Sequence, residues 1–434
     1  MKLARVGVAI AAAAIVVSAC GGSGSATAAP ATAAPAATAA PAATAAPPAS
    51  IAPVEDPLGV VQIPAGEPLH LAYWGVLSGA DSSLGEDSKQ GVEVAIDDAG
   101  GKFKGHDIRL TTEDGLCTPD GGATAAQKLA ADSTIVALVG SSCSDETVGG
   151  IAALTAAGLT TISPSNTRPA LTAPDRDATY AGYLRTAHSD AFQGKAAAEF
   201  VYNSLKLTKA ATIHDGSTYA QALQGVFAEE FTKLGGTIVA QEAVTKETTD
   251  MSAVLTTVAA AKPEIIYYPV FVAAAGFLTS QVKNIPGLEN VKTMGADGHF
   301  TPDFLKAAGA SAVGHYLSSP NFAAFGPGYQ DFLAKRATKF GGSPLSVFHA
   351  HAYDATNIIL AALDKVAVEN ADGSLSIPRG ALRDAIYATK DFKGITGTLT
   401  CSATGDCGAP VIGVYQVTQE NVDQGKMPAA AIWP

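Results

Sequence analysis

Positive charge is scarce in this sequence. Its 434 residues include 28 Lys and Arg against 40 Asp and Glu, which gives a formal net charge of −12 at pH 7. A chain with this excess of negative charge repels nucleic-acid phosphates and anionic membrane surfaces. The composition therefore argues against nucleic acid as a partner, and its 47% of hydrophobic residues suffice for a sizeable core.

Catalytic and cofactor-binding motifs are missing as well. The chain has no Gly-x-Ser-x-Gly elbow, no His-Glu-x-x-His, no Cys-x-x-Cys and neither of the common nucleotide-binding glycine patterns. His349 and His351 open an apparent helix that runs to about Val366, where residues two apart point in different directions. We therefore predict no metal site, no cofactor and no enzymatic activity.

The N-terminus has the pattern of a secretory signal. Lys2 and Arg5 precede an apolar run at residues 6–17 that is too short for a transmembrane helix. Residues 17–21 read Val-Ser-Ala-Cys-Gly and resemble the lipobox of bacterial lipoproteins, in which the cysteine is acylated and becomes the mature N-terminus. We predict that residues 1–20 are a lipoprotein signal and that Cys20 carries a membrane anchor; a buried, unmodified Cys20 is the alternative.

Residues 21–64 consist mostly of Ala, Pro and Thr in short repeats. They contain too few large apolar groups to build a core, and their prolines favour extended conformations. We predict a disordered tether that holds the folded part away from the membrane.

Apart from Cys20 the chain has an even set of cysteines, Cys117, Cys143, Cys401 and Cys407. An exported chain with four cysteines is expected to form two disulfides, and sequence alone allows three pairings. The turn-like stretch between Cys401 and Cys407 favours pairing these two and leaves Cys117 for Cys143. Free buried thiols are the alternative.

Beyond about Leu69, short β-type runs alternate with helical stretches, which is typical of a parallel α/β fold. Asp250 has the position of a helix N-cap within this pattern. The units fall into two groups, before and after His188, so we predict two α/β lobes with a ligand cleft between them. The predicted strands are residues 69–77, 108–113, 135–139, 160–163, 211–214, 237–243, 265–270 and 291–295.

Polar loops follow several of these strands. Ser144 begins a helix after one strand and offers a hydroxyl beside free backbone amides, which suits a carboxylate, although a plain N-cap explains it equally well. Asp297 lies in a glycine-flanked loop and suits an ammonium group, although a turn residue is the alternative. Tyr219 would supply an aromatic wall with a polar tip.

Taken in order, these loops and their neighbours resemble the type I periplasmic binding proteins, specifically the leucine/isoleucine/valine-binding family. The resemblance covers roughly residues 69–424. It rests on five ordered motifs, which are Gly75-Val76-Leu77-Ser78-Gly79 with Gly85 and Gly91; Cys117 with Cys143; Ser163-Pro164 with Thr167 and Leu171-Thr172; Arg185-Thr186 with Asp190 and Gln193-Gly194; and Ile213-His214-Asp215 with Tyr219.

The resemblance implies an α/β fold of two Rossmann-like lobes with parallel central sheets, joined by a three-strand hinge. Residues 65–187 plus 319–394 would form the N-terminal lobe and residues 188–318 plus 395–434 the C-terminal lobe. The last crossing between them would precede the Cys401 to Cys407 loop.

The resemblance also implies a function and a ligand site. The function is an extracytoplasmic receptor that delivers an amino acid or analogue to the permease and ATPase subunits of an ABC importer. Ser144 and Thr167 would bind the ligand carboxylate together with backbone amides. The backbone at Ser165, the phenol ring of Tyr219 and the carboxylate of Asp297 would surround its ammonium. The full set of ligand-binding residues is Leu84, Ser144, Ser165, Thr167, Tyr219, Phe271, Val272 and Asp297.

Two positions depart from the family pattern. Leu84 stands where the family often has an aromatic residue, and Asp297 is one methylene shorter than the usual Glu. Asp145 and Glu146 would oppose an anion beside Ser144 unless their side chains point to solvent. Amides, ureas or aromatic acids therefore stay open as ligands, and a sensing lipoprotein that signals to a membrane kinase is the alternative function.

Overall fold

The computed structural model describes residues 54–434, which belong to one compact unit. The predicted signal, Cys20 and most of the predicted tether lie outside the described residues. No helix between residues 54 and 434 combines the length and the apolar character that a membrane crossing requires.

The strands of the described chain are β1 (Val60–Ile63), β2 (Leu69–Gly75), β3 (Lys102–Phe103), β4 (His106–Asp114), β5 (Ile135–Gly140), β6 (Thr161–Ser163), β7 (Tyr183–Arg185), β8 (Lys209–His214), β9 (Thr237–Ala243), β10 (Ile265–Tyr267), β11 (Lys292–Gly295), β12 (Tyr316–Pro320), β13 (Val368–Glu369), β14 (Leu375–Pro378), β15 (Phe392–Gly394), β16 (Gly397–Leu399) and β17 (Ile412–Gln416).

The helices are α1 (Ser82–Asp98), α2 (Pro119–Ala131), α3 (Ser144–Ala156), α4 (Asp190–Glu199), α5 (Thr218–Lys233), α6 (Ser252–Ala260), α7 (Val272–Val282), α8 (Pro302–Ala308), α9 (Gly328–Phe340), α10 (His349–Val366), α11 (Arg379–Tyr387) and α12 (Gln419–Gln424). The residue at the N-cap of α6 is Met251, one position after the predicted Asp250, whose carboxylate accepts from the Ser252 amide at 2.9 Å.

The first lobe is built on a six-stranded sheet in the order β3-β4-β2-β5-β6-β7, parallel except for β3. Its central strand β2 is buried along its whole length because helices cover both faces. Alternate side chains point to opposite faces, so Leu71 and Tyr73 pack with α10 while Ala72 and Trp74 pack with α2 and α3.

The second lobe has a sheet in the order β17-β12-β11-β10-β8-β9, in which only β17 is antiparallel to its neighbour. Its core reaches across the cleft, because Leu84, Cys117 and Cys143 of the first lobe belong to the same cluster of buried side chains. The two lobes are therefore in direct contact. The predicted α/β fold with two lobes is confirmed.

The chain crosses between the two sheets three times: between β7 and α4, after β12, and between β16 and β17. The third crossing differs from the prediction. Asp406 forms an isolated β-bridge with Arg185 of β7. Leu399 and Cys407 pack in the first-lobe core. The Cys401 to Cys407 loop therefore belongs to the first lobe, and the crossing follows it. The prediction that the C-terminal lobe resumes at residue 395 is wrong because these long-range pairings leave no local signal.

The predicted tether boundary at residue 64 is also wrong. Strand β1 lies before it and pairs antiparallel with β14, and Val61 and Ile63 are buried against the first lobe. Asp56 precedes β1 and accepts hydrogen bonds from the Gly380 and Ala381 amides at 2.8 and 3.0 Å. The folded part thus begins within the Pro-rich stretch, because strand pairing orders a segment whose composition alone indicates disorder.

Both predicted disulfides are present. Cys117 is bonded to Cys143 and Cys401 to Cys407. The first bond joins the loop after β4 to the start of α3 beside the cleft, whereas the second closes a short loop against the first lobe.

Candidate functional site

A pocket lies between the lobes, at the carboxyl ends of the strands of both sheets. Its position follows from the parallel topology, which brings strand-end loops to one edge of each sheet. The lining residues are Leu84, Ser142, Cys143, Ser144, Ser165, Tyr219, Phe271, Asp297, Gly298 and Phe348. Six of the eight residues predicted from the sequence are in this set.

Hydroxyl groups define the first-lobe side of the pocket. Ser144 is the first residue of α3, and its Oγ is buried with no hydrogen-bond partner in the described chain. The Oγ1 of Thr167 is likewise buried and unpaired. Buried hydroxyls are normally satisfied, so the unpaired Ser144 hydroxyl at a helix N-terminus is suited to donate to an anionic ligand group, whereas the Thr167 hydroxyl lies behind the pocket.

The two acidic residues that follow Ser144 do not point to solvent. Glu146 is fully buried and its carboxylate accepts from the amides of Cys117, Ser142 and Cys143, each at 2.9 Å. Burial raises the pKa of Glu146 to about 7, although these amides oppose the shift. Asp145 turns towards the second lobe and accepts from the Thr218 amide at 3.0 Å. Backbone amides bind both carboxylates, and this reduces the predicted conflict with a bound anion. The expected exposure of the two side chains to solvent is not found.

A carboxylate defines the second-lobe side. Asp297 follows β11 and is 2% exposed, and its Oδ1 accepts from the Tyr219 hydroxyl at 2.6 Å. Its Oδ2 has no hydrogen bond of good geometry, although the Nε2 of His188 lies 3.3 Å away. A Cβ at Gly298 would come 2.9 Å from the Tyr219 ring, so glycine permits this close approach.

His188 and Asp190 extend this charged cluster. Burial disfavours the charged form of His188, but Asp297, Gln193 and Asp190 outweigh burial and raise its pKa. Burial, and then the neighbouring Asp297 charge, raise the pKa of Asp190 to about 7. Both Asp190 carboxylate oxygens are buried and unpaired. The cluster thus places a second buried carboxyl behind Asp297, and only Asp297 of the two lines the pocket.

Two neutral histidines fix the loop that carries Asp297. The Nδ1 of His299 lies 2.7 Å from the carbonyl oxygen of Val270 and so carries the hydrogen. Its Nε2 then accepts from the Nε2–H of His315 at 3.1 Å, and the Nδ1 of His315 accepts from the Thr293 hydroxyl at 2.9 Å. Burial lowers the pKa of His299 to about 4, which keeps this network uncharged near neutral pH.

Apolar side chains form the rest of the wall. Leu84, Phe271 and Phe348 come from three separate segments, and all three are buried. The ammonium of Lys246 lies 4.6 Å from the centre of the Phe271 ring and covers it from outside. The pocket therefore combines polar groups at two ends with an apolar wall.

Two predicted site residues do not line the pocket. Thr167 lies behind it, where its carbonyl accepts from the Asp190 amide at 2.8 Å. The Val272 amide donates instead to Asp81 of the other lobe at 3.2 Å. Sequence reasoning missed Phe348, which precedes α10 and follows no strand, and it did not assign His188 or Asp190 to the site.

His349 and His351 are structural residues of the first lobe. His349 contacts the buried Asp87 through Nδ1 at 2.9 Å and the Tyr329 hydroxyl through Nε2 at 2.9 Å. His351 packs between Phe325 and Phe348. Within residues 54–434 no group of three or more potential metal ligands comes together.

Two lobes that enclose a buried polar pocket are typical of proteins that capture a small solute. A family profile described as periplasmic binding protein matches residues 68–422. The relatives include Leu/Ile/Val-binding protein homolog 3 of Brucella melitensis, 27% identical over 78% of this chain and 89% of that protein, and an amino acid binding protein of Pseudomonas aeruginosa, 31% identical over 54% and 61%.

Solved structures agree with this match. The branched-chain amino acid transporter substrate-binding protein LivJ of Streptococcus pneumoniae, in complex with isoleucine, has a TM-score of 0.72 and 25% identity, covering 85% of this chain and all of that one. A solute-binding protein of Rhodopseudomonas palustris in complex with benzoate has a TM-score of 0.68 at 18% identity, covering 85% and 97%. The chain belongs to the periplasmic binding protein family, in its type I, leucine/isoleucine/valine-binding branch. It is a solute-binding protein and not an enzyme.

Proposed function

We propose that this protein is the extracytoplasmic receptor of an ABC importer and that its ligand is a zwitterionic amino acid with an apolar side chain. Lipid attachment at Cys20 would keep it at the outer face of the membrane, and the permease and ATPase subunits would be its partners. The names of its relatives support the transporter assignment.

The two lobes favour opposite charges on the ligand, and this observation carries the proposed ligand class. The unpaired hydroxyl of Ser144, at the N-terminus of α3, lies on the first lobe, and the buried carboxylate of Asp297 lies on the second. A buried charge without a partner costs several kcal/mol, so a ligand with both an anionic and a cationic group satisfies both sides when the lobes close.

An aromatic acid is the competing ligand, since a structural neighbour binds benzoate. Such a ligand has a carboxylate for Ser144 but no cation for Asp297. It would leave the Asp297 carboxylate facing an apolar ring, which burial penalises. The pocket chemistry therefore favours the amino acid.

A thermal-shift screen of protein lacking residues 1–53 tests the ligand class. A ligand that binds only the folded state raises the melting temperature. Branched-chain amino acids are expected to raise it, and benzoate and simple amides are not. A shift with aromatic acids alone would overturn the amino acid assignment.

Substitution of Asp297 tests the ammonium site. Asp297→Ala is expected to weaken amino acid binding at least tenfold, or about 1.4 kcal/mol, measured by titration calorimetry. Asp372→Ala, in a turn before β14, serves as the control and is expected to leave binding unchanged. Equal affinities of wild type and Asp297→Ala for the amino acid would remove Asp297 from the site.

A further inference from the structure

Asp145 of the first lobe makes a hydrogen bond to the start of helix α5 in the second lobe. It lies in the first turn of α3 in the first lobe, where an acidic residue would ordinarily favour its own helix. Its Oδ1 instead accepts from the amide of Thr218, the first residue of α5 in the second lobe, at 3.0 Å. The carboxylate thus meets a free N–H at the positive end of a helix that belongs to the other lobe.

Asp81 makes the same kind of contact at a second place. It occupies the N-cap position of α1 but makes no capping hydrogen bond to that helix. Its Oδ1 accepts from the amide of Val272, the first residue of α7, at 3.2 Å. Helix α7 has no side-chain cap of its own, because its N-cap residue is Phe271.

Lys246 adds a third contact between the lobes, in which the side chain belongs to the second lobe and the backbone group to the first. Its ammonium donates to the carbonyl oxygen of Cys117 at 2.8 Å while it covers the Phe271 ring. The side chains of Asp81, Asp145 and Lys246 do not line the pocket. Because each of these contacts joins one lobe to the other, it forms only when the lobes meet, and it does not depend on which ligand lies in the pocket.

We propose that Asp81 and Asp145 are positioning residues that set ligand affinity by capping second-lobe helices when the cleft closes. Opening returns both carboxylates and both helix ends to water, and Asp81 is then placed to cap α1. Carboxylates at helix N-termini stabilise the closed arrangement without contacting the ligand. Because the ligand binds the closed state, stabilising that state tightens binding. The inference rests on the proposed function for its binding readout.

Binding kinetics with a branched-chain amino acid test the proposal in the full chain. Asp145→Ala and Asp81→Ala are each expected to weaken binding by about three- to tenfold, mainly through faster release. Asp145→Asn keeps an acceptor for the Thr218 amide and is expected to recover part of the loss. Asp120→Ala, in the first turn of the neighbouring helix α2, is the matched control and is expected to bind as wild type does.

Hydrogen exchange of the amino-acid-bound chain, in which the lobes are closed, provides a second readout. Asp145→Ala is expected to speed exchange at the Thr218 amide, and Asp81→Ala at the Val272 amide, with the rest of α5 and α7 unchanged. Unaltered release rates in a chain that binds amino acids would overturn the proposal. If no amino acid binds but benzoate does, the proposed ligand fails, and unaltered benzoate release rates in Asp81→Ala and Asp145→Ala would then overturn the capping contacts independently.

Discussion

Asp190 has the most perturbed environment among the acidic residues near the pocket. It is fully buried, both carboxylate oxygens are unpaired, and it shares its surroundings with Asp297, His188 and the neutral phenols Tyr219 and Tyr267. Burial and the Asp297 charge raise its pKa to about 7, against the smaller opposing effects of His188, the Thr167 hydroxyl and Arg185. Near neutral pH both the protonated and the charged form of this carboxyl are therefore populated.

Binding of an ammonium-bearing ligand should release a proton from Asp190. The bound cation favours the charged carboxylate, so affinity is expected to rise as pH increases through about 7, and about half a proton should leave at pH 7. Titration calorimetry in two buffers of different ionisation enthalpy measures this release. Asp190→Asn should reduce the buffer dependence, and a wild-type heat that is the same in both buffers from pH 6 to 8 would contradict the prediction.

The segment that precedes β2 shows how an element acquires structure from its partners. Strand β1 has no helix or hairpin beside it in sequence, yet it is ordered by β14, which lies more than 300 residues later. Asp56 caps the start of α11 by binding its Gly380 and Ala381 amides. The N-terminal segment thus closes the first lobe at its periphery.

Truncation tests this contribution. Removal of residues 1–64 eliminates the burial of Val61 and Ile63 and the capping by Asp56, so the free energy of unfolding is expected to fall by about 3 to 6 kcal/mol. Removal of residues 1–53 is the control and should leave stability near that of the full chain. Equal denaturation midpoints for the two truncations would show that β1 does not stabilise the lobe.

At the scale of the whole molecule, Arg185 links two of the segments that lead into the crossings. It is fully buried at the end of β7, pairs with Asp406 before the third crossing, and donates to the Thr172 hydroxyl at 2.7 Å. The Asp406 side chain is 41% exposed, which moderates the strength of the pair. Arg185 therefore connects chain segments that the sequence places far apart.

Arg185→Met should destabilise the entire molecule. Losing the buried guanidinium leaves several acceptors unpaired, and the free energy of unfolding is expected to fall by about 2 to 3 kcal/mol after allowance for the exposure of Asp406. Lys128→Met removes a surface pair with Glu113 and should cost less than about 1 kcal/mol. Chemical denaturation measures both variants, and equal small losses would show that Arg185 does not hold these segments together.

Features that depend on local pattern could be predicted from the sequence. Alternating strands and helices predicted the two α/β lobes, the turn between Cys401 and Cys407 predicted the disulfide pairing, and strand-end loops predicted Ser144 and Asp297 as pocket residues. The fold is confirmed and Ser144 and Asp297 line the pocket, because periodicity, turn chemistry and the parallel-sheet rule act over a few residues; their ligand contacts stay predictions.

Contacts between groups that are far apart in the sequence could be found only in the folded chain. In the folded chain β1 is paired with β14, and the third crossing lies beyond Cys407. Phe348 lines the pocket, and Asp145 accepts a hydrogen bond from a helix of the opposite lobe. Each outcome depends on pairing across long stretches of chain or across the cleft. Hydrogen-bond acceptors and apolar side chains have many potential partners in a sequence, and packing selects one of them.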